Sequence, residues 1–281
     1  MSAAHAAHIA AIGAAFADPS TEQLLVEPVT EINNRMVASS LDVAEFWQRY
    51  LREVMIDTEQ SVACAEALLA AGCSELQLEQ ISRAVRGRLV DARSLFLKKF
   101  PKLVDQLQLR SRPIRDQWDT FGTGLLREVG RQIWGEQPPK RWSPTRIDAL
   151  VVQPIRGGDG GYDTERKRIW VEAMLTDADP RIPEIIRVAW LITRLTIDAY
   201  IRDEADDTLA GSWSLVSLPL VLEAGRELEI LREPELPICQ AANLWRFCDE
   251  STARTLQQWW QQFRDASMPL PAALKILQAN T

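Results

Sequence analysis

The sequence predicts a mainly α-helical fold: a helical bundle with one short β-hairpin, at about 148–175, packed on a central apolar helix at about 183–201. Apolar residues recur every three or four positions over most of the chain, which is the spacing of one helix face. The run before and after 157–161 is instead β-branched and alternating, as in strands. The segment after it is apolar on most sides, as expected of a helix at the centre of a core.

For the N-terminal part the sequence predicts four helices: one at about 3–16, one from Ser20 to about Ser39, one from Ser40 or Asp42 up to Gly72, and one from Ser74 up to Pro101. The first is Ala-rich and weak. Ser40 or Asp42 can cap the third helix, and Gly72 follows its end, where glycine commonly stops a helix. Ser74 and Gln77 have the spacing of a capping box for the fourth.

Pro113 predicts the first turn of a fifth helix, whose apolar stripe covers 114–133, because proline is favoured in the first helical turn. Three glycines inside this helix predict close packing on a neighbour. Pro138 and Pro139 end it and mark a boundary at about 136–146. We therefore expect an N-terminal helical region, 1–135, and a second region, 146–281; whether the two share one core is left open.

The β-hairpin is predicted from two runs separated by glycines. Ile147–Gln153 and Arg168–Leu175 are the strands, and Gly157–Gly161 is the loop between them. Pro183 then starts the apolar helix, which continues to about Ile201. Three further helices are expected, at about 215–232, 236–247 and 252–266.

Composition limits the classes of function. With 46% hydrophobic residues and 25% charged residues, the 281-residue chain is an ordinary globular protein. Its net charge of −7 counts against nucleic-acid binding, and no run of 18 apolar residues indicates a membrane span. The four cysteines lack metal or redox spacing and predict buried, reduced thiols. Most of the ten tryptophans are expected in the core. Without a signal peptide, we expect a cytoplasmic protein.

Charge is unevenly distributed along the chain. Residues 83–115 contain ten basic side chains against two acidic ones, whereas residues 198–235 contain ten acidic side chains against three basic ones. One interpretation makes these segments two solvated helix faces. The other docks them on each other, or docks the basic segment on an acidic partner.

The candidate site lies on the Pro183 helix. Six of its residues fall on one stripe at spacings of three and four: Glu184, Arg187, Leu191, Arg194, Asp198 and Arg202. The stripe is either the solvent edge of the helix or partly buried, and buried arginines would need carboxylate partners. Glu223 and Glu227 share one face of the next helix and could supply them. The candidate ion-pair or anion site thus consists of Arg187, Arg194, Asp198, Glu223 and Glu227.

Common catalytic and cofactor motifs are missing from the sequence. His5 and His8, the two histidines, are both near the N-terminus, so a histidine base or multi-histidine metal site elsewhere is excluded. The glycines at 157–161 lack the Lys-Ser/Thr of a phosphate-binding loop. No catalytic residue, metal or cofactor is therefore expected.

The order of elements over 148–230 resembles the core of zincin metallopeptidases: a strand, a loop, a strand, a short acidic turn and an apolar helix. The resemblance aligns Arg187 and Leu191 with the two zinc-binding histidines and Val188 with the general-base glutamate. Glu223, with Glu227 one turn later, corresponds to the glutamate of the later helix. Because the His-Glu-x-x-His motif is absent, the resemblance implies a core without zinc or its activated water.

These observations favour a non-catalytic helical protein that acts by binding a protein partner. The resemblance implies that its core is similar to that of a metallopeptidase but lacks zinc. If Arg187 replaces the metal, it should pair with Glu223. Two alternatives stay open. One is a carboxylate-based hydrolase using Glu172, Glu223 and Glu227, and the other is a protein that binds a small anion through Arg187 and Arg194.

Overall fold

Helices dominate the computed structural model, with one small sheet, which confirms the predicted mainly α class with a short β element. The structure describes residues 6–7, 23–55, 59–135, 139, 142, 146–154, 158, 160–174, 176–204, 210–233, 235–265 and 270–280. Most of the helix expected at 3–16 lies outside these ranges. The chain divides into two compact units, Met1–Val104 and Asp105–Thr281.

The first unit contains four described helices: α1 (Gln23–Ala38), α2 (Val43–Val54), α3 (Gln60–Ala70) and α4 (Glu75–Lys99). Asp42 caps α2, since its carboxylate accepts a hydrogen bond from the Glu45 N–H at 3.0 Å, and Gly72 follows α3 at a φ of +94°. The single helix predicted between Asp42 and Gly72 is wrong, because α2 and α3 are separate helices that pack on each other. This arrangement puts the buried aromatic rings of α2 and the small residues of α3 into one core.

The second unit begins with a nearly continuous helical segment. It consists of α5 (Leu103–Gln117, whose first two residues precede the division), a π-helical turn (Trp118–Gly122) and α6 (Thr123–Trp134). Pro113 lies inside α5, so its prediction as the first residue of a helix is wrong. Proline removes one helical hydrogen bond, and a helix that continues on both sides can accommodate this loss.

The described part of the second unit contains five further helices: α7 (Glu184–Glu204), α8 (Ala210–Glu227), α9 (Ile238–Leu244), α10 (Glu250–Asp265) and α11 (Leu270–Asn280). Every residue of α7 from Glu184 to Thr193 is buried, which confirms its prediction as a central helix. The units divide earlier than the predicted 136–146 boundary, because α6 contributes Leu125, Val129 and Ile133 to the core around α7. Seven of the ten tryptophans are buried, as expected.

The sheet has three strands, β1 (Asp148–Val152), β2 (Gly160–Asp163) and β3 (Arg168–Glu172), in the order β1-β3-β2. β1 runs parallel to β3, and β2 runs antiparallel to β3. The predicted hairpin of 148–175 is therefore wrong in its pairing: the hairpin consists of β2 and β3, joined by a turn at 164–167. The sheet packs on α7, as predicted.

The glycines explain why the strand pairing was misjudged. Gly160 and Gly161, predicted to be part of a loop, belong to β2. A Cβ on Gly161 would lie 2.1 Å from the Trp170 ring, and one on Gly160 would lie 2.9 Å from the Leu191 side chain. Gly161 therefore allows close approach within the sheet, and Gly160 allows close approach of the sheet to α7, as glycine does in strands.

In the described part of the chain, no helix is long and apolar enough to cross a membrane.

Candidate functional site

The charged stripe of α7 lies against the sheet. Arg187 donates a hydrogen bond to the backbone carbonyl of Glu172 at the end of β3, at 3.1 Å. Further along the helix, Leu191 lies under Gly160 of β2. The spacing of three and four residues therefore identified one helix face correctly. Its interpretation as a solvent edge is wrong for the first half, since Glu184, Arg187 and Leu191 are all buried.

The N-terminal end of the stripe contains a buried ion pair. Arg187 is 1% exposed and Glu184 is 4% exposed, and the Arg187 guanidinium pairs with the Glu184 carboxylate one turn earlier. The Asp177 carboxylate accepts a hydrogen bond from the Glu184 N–H at 2.9 Å. Burial raises the pKa of Glu184, and the positive charge of Arg187 opposes that rise. The pair therefore neutralises Arg187, which is among the largest fully buried side chains of the described residues.

Arg194, two turns further along α7, is enclosed by aromatic rings. Its guanidinium carbon lies 5.0 Å from the ring centres of Tyr162 and Phe247 and 5.2 Å from that of Trp190. Its Nη2 donates to the Ser214 hydroxyl at 3.2 Å. Rings within about 6 Å stabilise a cation through their π-electron faces. Arg194 therefore joins β2, α7, α8 and the segment after α9.

Asp198 is held by the same tyrosine. The Tyr162 hydroxyl donates to the Asp198 carboxylate at 2.6 Å, and it also interacts with Arg194. Burial, followed by the hydrogen bond to Asp198, raises the pKa of Tyr162. The phenol is therefore neutral and acts as a donor between the two charged side chains. Arg202, at the exposed end of the stripe, lies 4.0 Å from Glu165.

Of the two glutamates of α8 predicted to meet Arg187, Glu223 has other partners and Glu227 lies at the surface. Glu223 is buried and pairs with Arg226, one turn later, and with Arg264 of α10 at 3.6 Å. Glu227 is exposed. The predicted Arg187–Glu223 bridge does not form, because each of these side chains has an opposite charge three residues away on its own helix.

The positions aligned with the zincin motif form part of the core. Arg187, Val188 and Leu191 are all buried. In the described ranges, no group of three or more His, Cys, Asp or Glu side chains could hold a metal ion. Glu172, proposed as a catalytic acid, is 2% exposed and has interactions of its own. Arg187, Arg194 and Asp198 of the stripe therefore make their contacts with neighbouring side chains and backbone inside the second unit.

A small cavity lies near α7, lined by Leu126, Val129, Trp142, Thr193 and Thr196. Its volume is about 10 Å³. Among the described residues, none forms a hydrogen bond with the buried Thr193 hydroxyl. Ligand pockets are usually larger than about 300 Å³, so this cavity is too small for a metabolite.

An exposed face of α4, in the first unit, combines apolar and basic side chains. Leu76, Arg83, Val90 and Leu97 follow one another at intervals of seven residues, two helical turns each. The three apolar members are 98%, 50% and 48% exposed, respectively. Arg86 and Arg93 lie four residues before Val90 and Leu97, on the adjacent row. We call these six residues the α4 face.

The sequence identified the basic character of this segment but not its apolar row. The apolar residues of α4 that recur every three or four positions, including Ile81, Val85, Leu89 and Ala92, form the opposite, buried face. The sequence signal for the exposed row was the recurrence of Leu76, Val90 and Leu97 at multiples of seven residues, on a different face from the buried residues.

Comparisons of the chain with protein-family models, with curated proteins and with solved structures found no match.

Proposed function

We propose that this protein is a non-catalytic interaction protein, and that its α4 face binds an acidic amphipathic helix of a protein partner. The observation that carries the proposal is the exposure of Leu76, Val90 and Leu97 in one row beside Arg86 and Arg93. Large apolar side chains that are exposed in a row are a feature of protein-binding surfaces.

The charges of the α4 face favour an acidic partner. Within the described ranges, Arg86 and Arg93 form no salt bridge, whereas Arg83 pairs with Glu79 on the same helix. Glutamates on a partner helix would provide the missing opposite charges, and its apolar row would cover Val90 and Leu97. In coiled coils too, opposite charges beside the apolar row determine which partner helix is bound.

The second unit supports the non-catalytic part of the proposal. The arginines predicted to bind an anion, Arg187 and Arg194, already have an ion pair and an aromatic enclosure. The acids predicted for hydrolysis are either buried, as Glu172 and Glu223 are, or isolated at the surface, as Glu227 is. A substrate would have to displace these contacts. We also propose that the protein has no zinc-dependent activity, as the resemblance to zincins without their His-Glu-x-x-His motif implies.

The test uses synthetic helices as probes. One fluorescent 21-residue peptide carries leucine at intervals of three and four flanked by glutamate; a second has the same composition in scrambled order; a third replaces glutamate with lysine. We expect the full-length protein to bind the first peptide, with at least tenfold weaker binding of the other two in fluorescence anisotropy, and weaker binding at high salt.

Two double variants locate the binding surface. Val90→Ser with Leu97→Ser, and Arg86→Glu with Arg93→Glu, should each weaken binding of the acidic peptide at least tenfold. Arg112→Glu with Arg115→Glu, on an exposed part of α5, makes the same change in charge and should leave binding unaltered. Equal binding of the acidic and scrambled peptides would overturn the proposal, as would binding to phosphatidylserine vesicles but not to the acidic helix.

A further inference from the structure

The outer edge of β1 has unused backbone hydrogen-bonding groups. Asp148 donates its N–H to the Lys167 carbonyl at 3.1 Å, and the Val152 carbonyl accepts from the Ala173 N–H at 2.9 Å. Residues 148, 150 and 152 therefore bond to β3, because backbone groups alternate in direction along a strand. The N–H and C=O groups of Ala149 and Val151 point the other way. Across the described part of the chain, nothing bonds to them.

The two edges of the sheet differ in their protection. β2, at the other edge, has four residues, two of them glycine, and packs on α7. β1 has five residues, four of them apolar, with Ala149 exposed, and it contains neither proline nor lysine. Short strands, proline and lysine are the usual features that keep sheet edges from pairing. β1 has neither proline nor lysine, and its one charged residue, Asp148, is the first residue of the strand.

We infer that the edge of β1 pairs with β1 of a second copy of this chain, antiparallel, about a twofold axis beside Leu150. In this register Ala149 lies opposite the partner copy's Val151, and both residues have outward-pointing backbone groups. The two symmetric pairs then exchange four N–H···O=C hydrogen bonds. The arrangement joins two three-stranded sheets into one of six strands.

The side chains of β1 are compatible with this self-pairing. Leu150 lies opposite its own copy in a non-hydrogen-bonded pair, where cross-strand side chains approach most closely. Asp148 lies opposite Val152, so no like charges face each other. Because only five residues pair, the buried area is below the roughly 1,200 Å² of stable interfaces, and we expect a reversible dimer at micromolar to millimolar concentrations.

Sedimentation velocity over this concentration range tests the inference on the full-length protein. The wild type should dimerise reversibly. Val151→Pro should abolish the dimer and keep the fold, since the proline removes only an outward N–H, as is tolerated at sheet edges. A wild type that stays monomeric throughout the range overturns the inference, and so does a dimer that persists in Val151→Pro.

A charge-swap experiment tests the register. Leu150→Lys and Leu150→Glu should each be monomeric, because the like charges would face each other across the axis. An equimolar mixture of the two should form a heterodimer, with association at least tenfold stronger than for either variant alone. Leu109→Lys, at an exposed leucine of α5, is the matched control and should dimerise like the wild type. If the mixture also stays monomeric while the wild type dimerises, the proposed register is wrong.

Circular dichroism of each variant separates loss of pairing from loss of fold. A Leu150 variant that is unfolded by this measure is replaced by a double variant in which Ala149 and Val151 are both changed to lysine or both to glutamate. These two residues face each other across the same axis, so each double variant again places like charges opposite each other. The result does not depend on the α4 face, since neither set of variants alters the other surface.

Discussion

Arg187→Met should destabilise the second unit strongly. Arg187 is almost completely buried, pairs with the buried Glu184 and donates to the Glu172 carbonyl. Methionine fills most of the same volume but leaves the Glu184 carboxylate without its cation. Removing one member of a buried ion pair costs about 3–5 kcal/mol of unfolding free energy. For a domain of this size, that corresponds to a fall in Tm of roughly 6–20 °C.

The loss should depend on pH in a defined direction. The pKa of Glu184 is already raised by burial, and loss of Arg187 removes the charge that opposes that rise. The folded state then binds the Glu184 proton more tightly than the unfolded state does. The stability contributed by this group is therefore full below its unfolded pKa of about 4.5 and is lost as pH rises through the folded pKa. The deficit of Arg187→Met should be smaller at pH 5 than at pH 8.

Chemical denaturation followed by circular dichroism, at both pH values, provides the measurement. Adding Glu184→Gln to Arg187→Met should recover at least half of the lost free energy at pH 8, because it removes the unpaired charge. Arg181→Met, which breaks an exposed pair with Asp179, is the control and should cause no measurable change. A loss below about 1 kcal/mol for Arg187→Met, or no recovery in the double variant, would refute the reasoning.

Two further substitutions, the first with a helix substitution as its control, test the packing of the sheet. Gly161→Ala should lower the unfolding free energy by about 1–3 kcal/mol, because its Cβ would overlap the Trp170 ring. Gly87→Ala, on the open surface of α4, should raise the unfolding free energy by about 0.5–1 kcal/mol. Urea titrations in which the two substitutions changed the unfolding free energy in the same direction would contradict this. Tyr162→Phe should cost about 1.5 kcal/mol through the lost hydrogen bond to Asp198 while keeping the ring, and an unchanged urea midpoint would show that this bond contributes nothing.

The helices were predictable where one apolar face is buried and a local signal marks the end. Asp42 and Gly72 are such signals, and both act as predicted. Pro113 misled the prediction, because proline at a helix start and proline inside a helix have the same local sequence context. Gly160 and Gly161 misled it for a related reason: the residues that require them to be small, Trp170 and Leu191, are distant in sequence.

For the candidate site, the sequence by itself determined the members of the α7 stripe, because a spacing of three and four residues fixes which side chains share a helix face. It also determined that Arg187, if buried, needs a carboxylate. Only the tertiary structure decided that the stripe meets the sheet and that Glu184, not Glu223, pairs with Arg187. The face of a helix is a local property, whereas what covers that face depends on how distant segments pack, and local spacing carries no information about it.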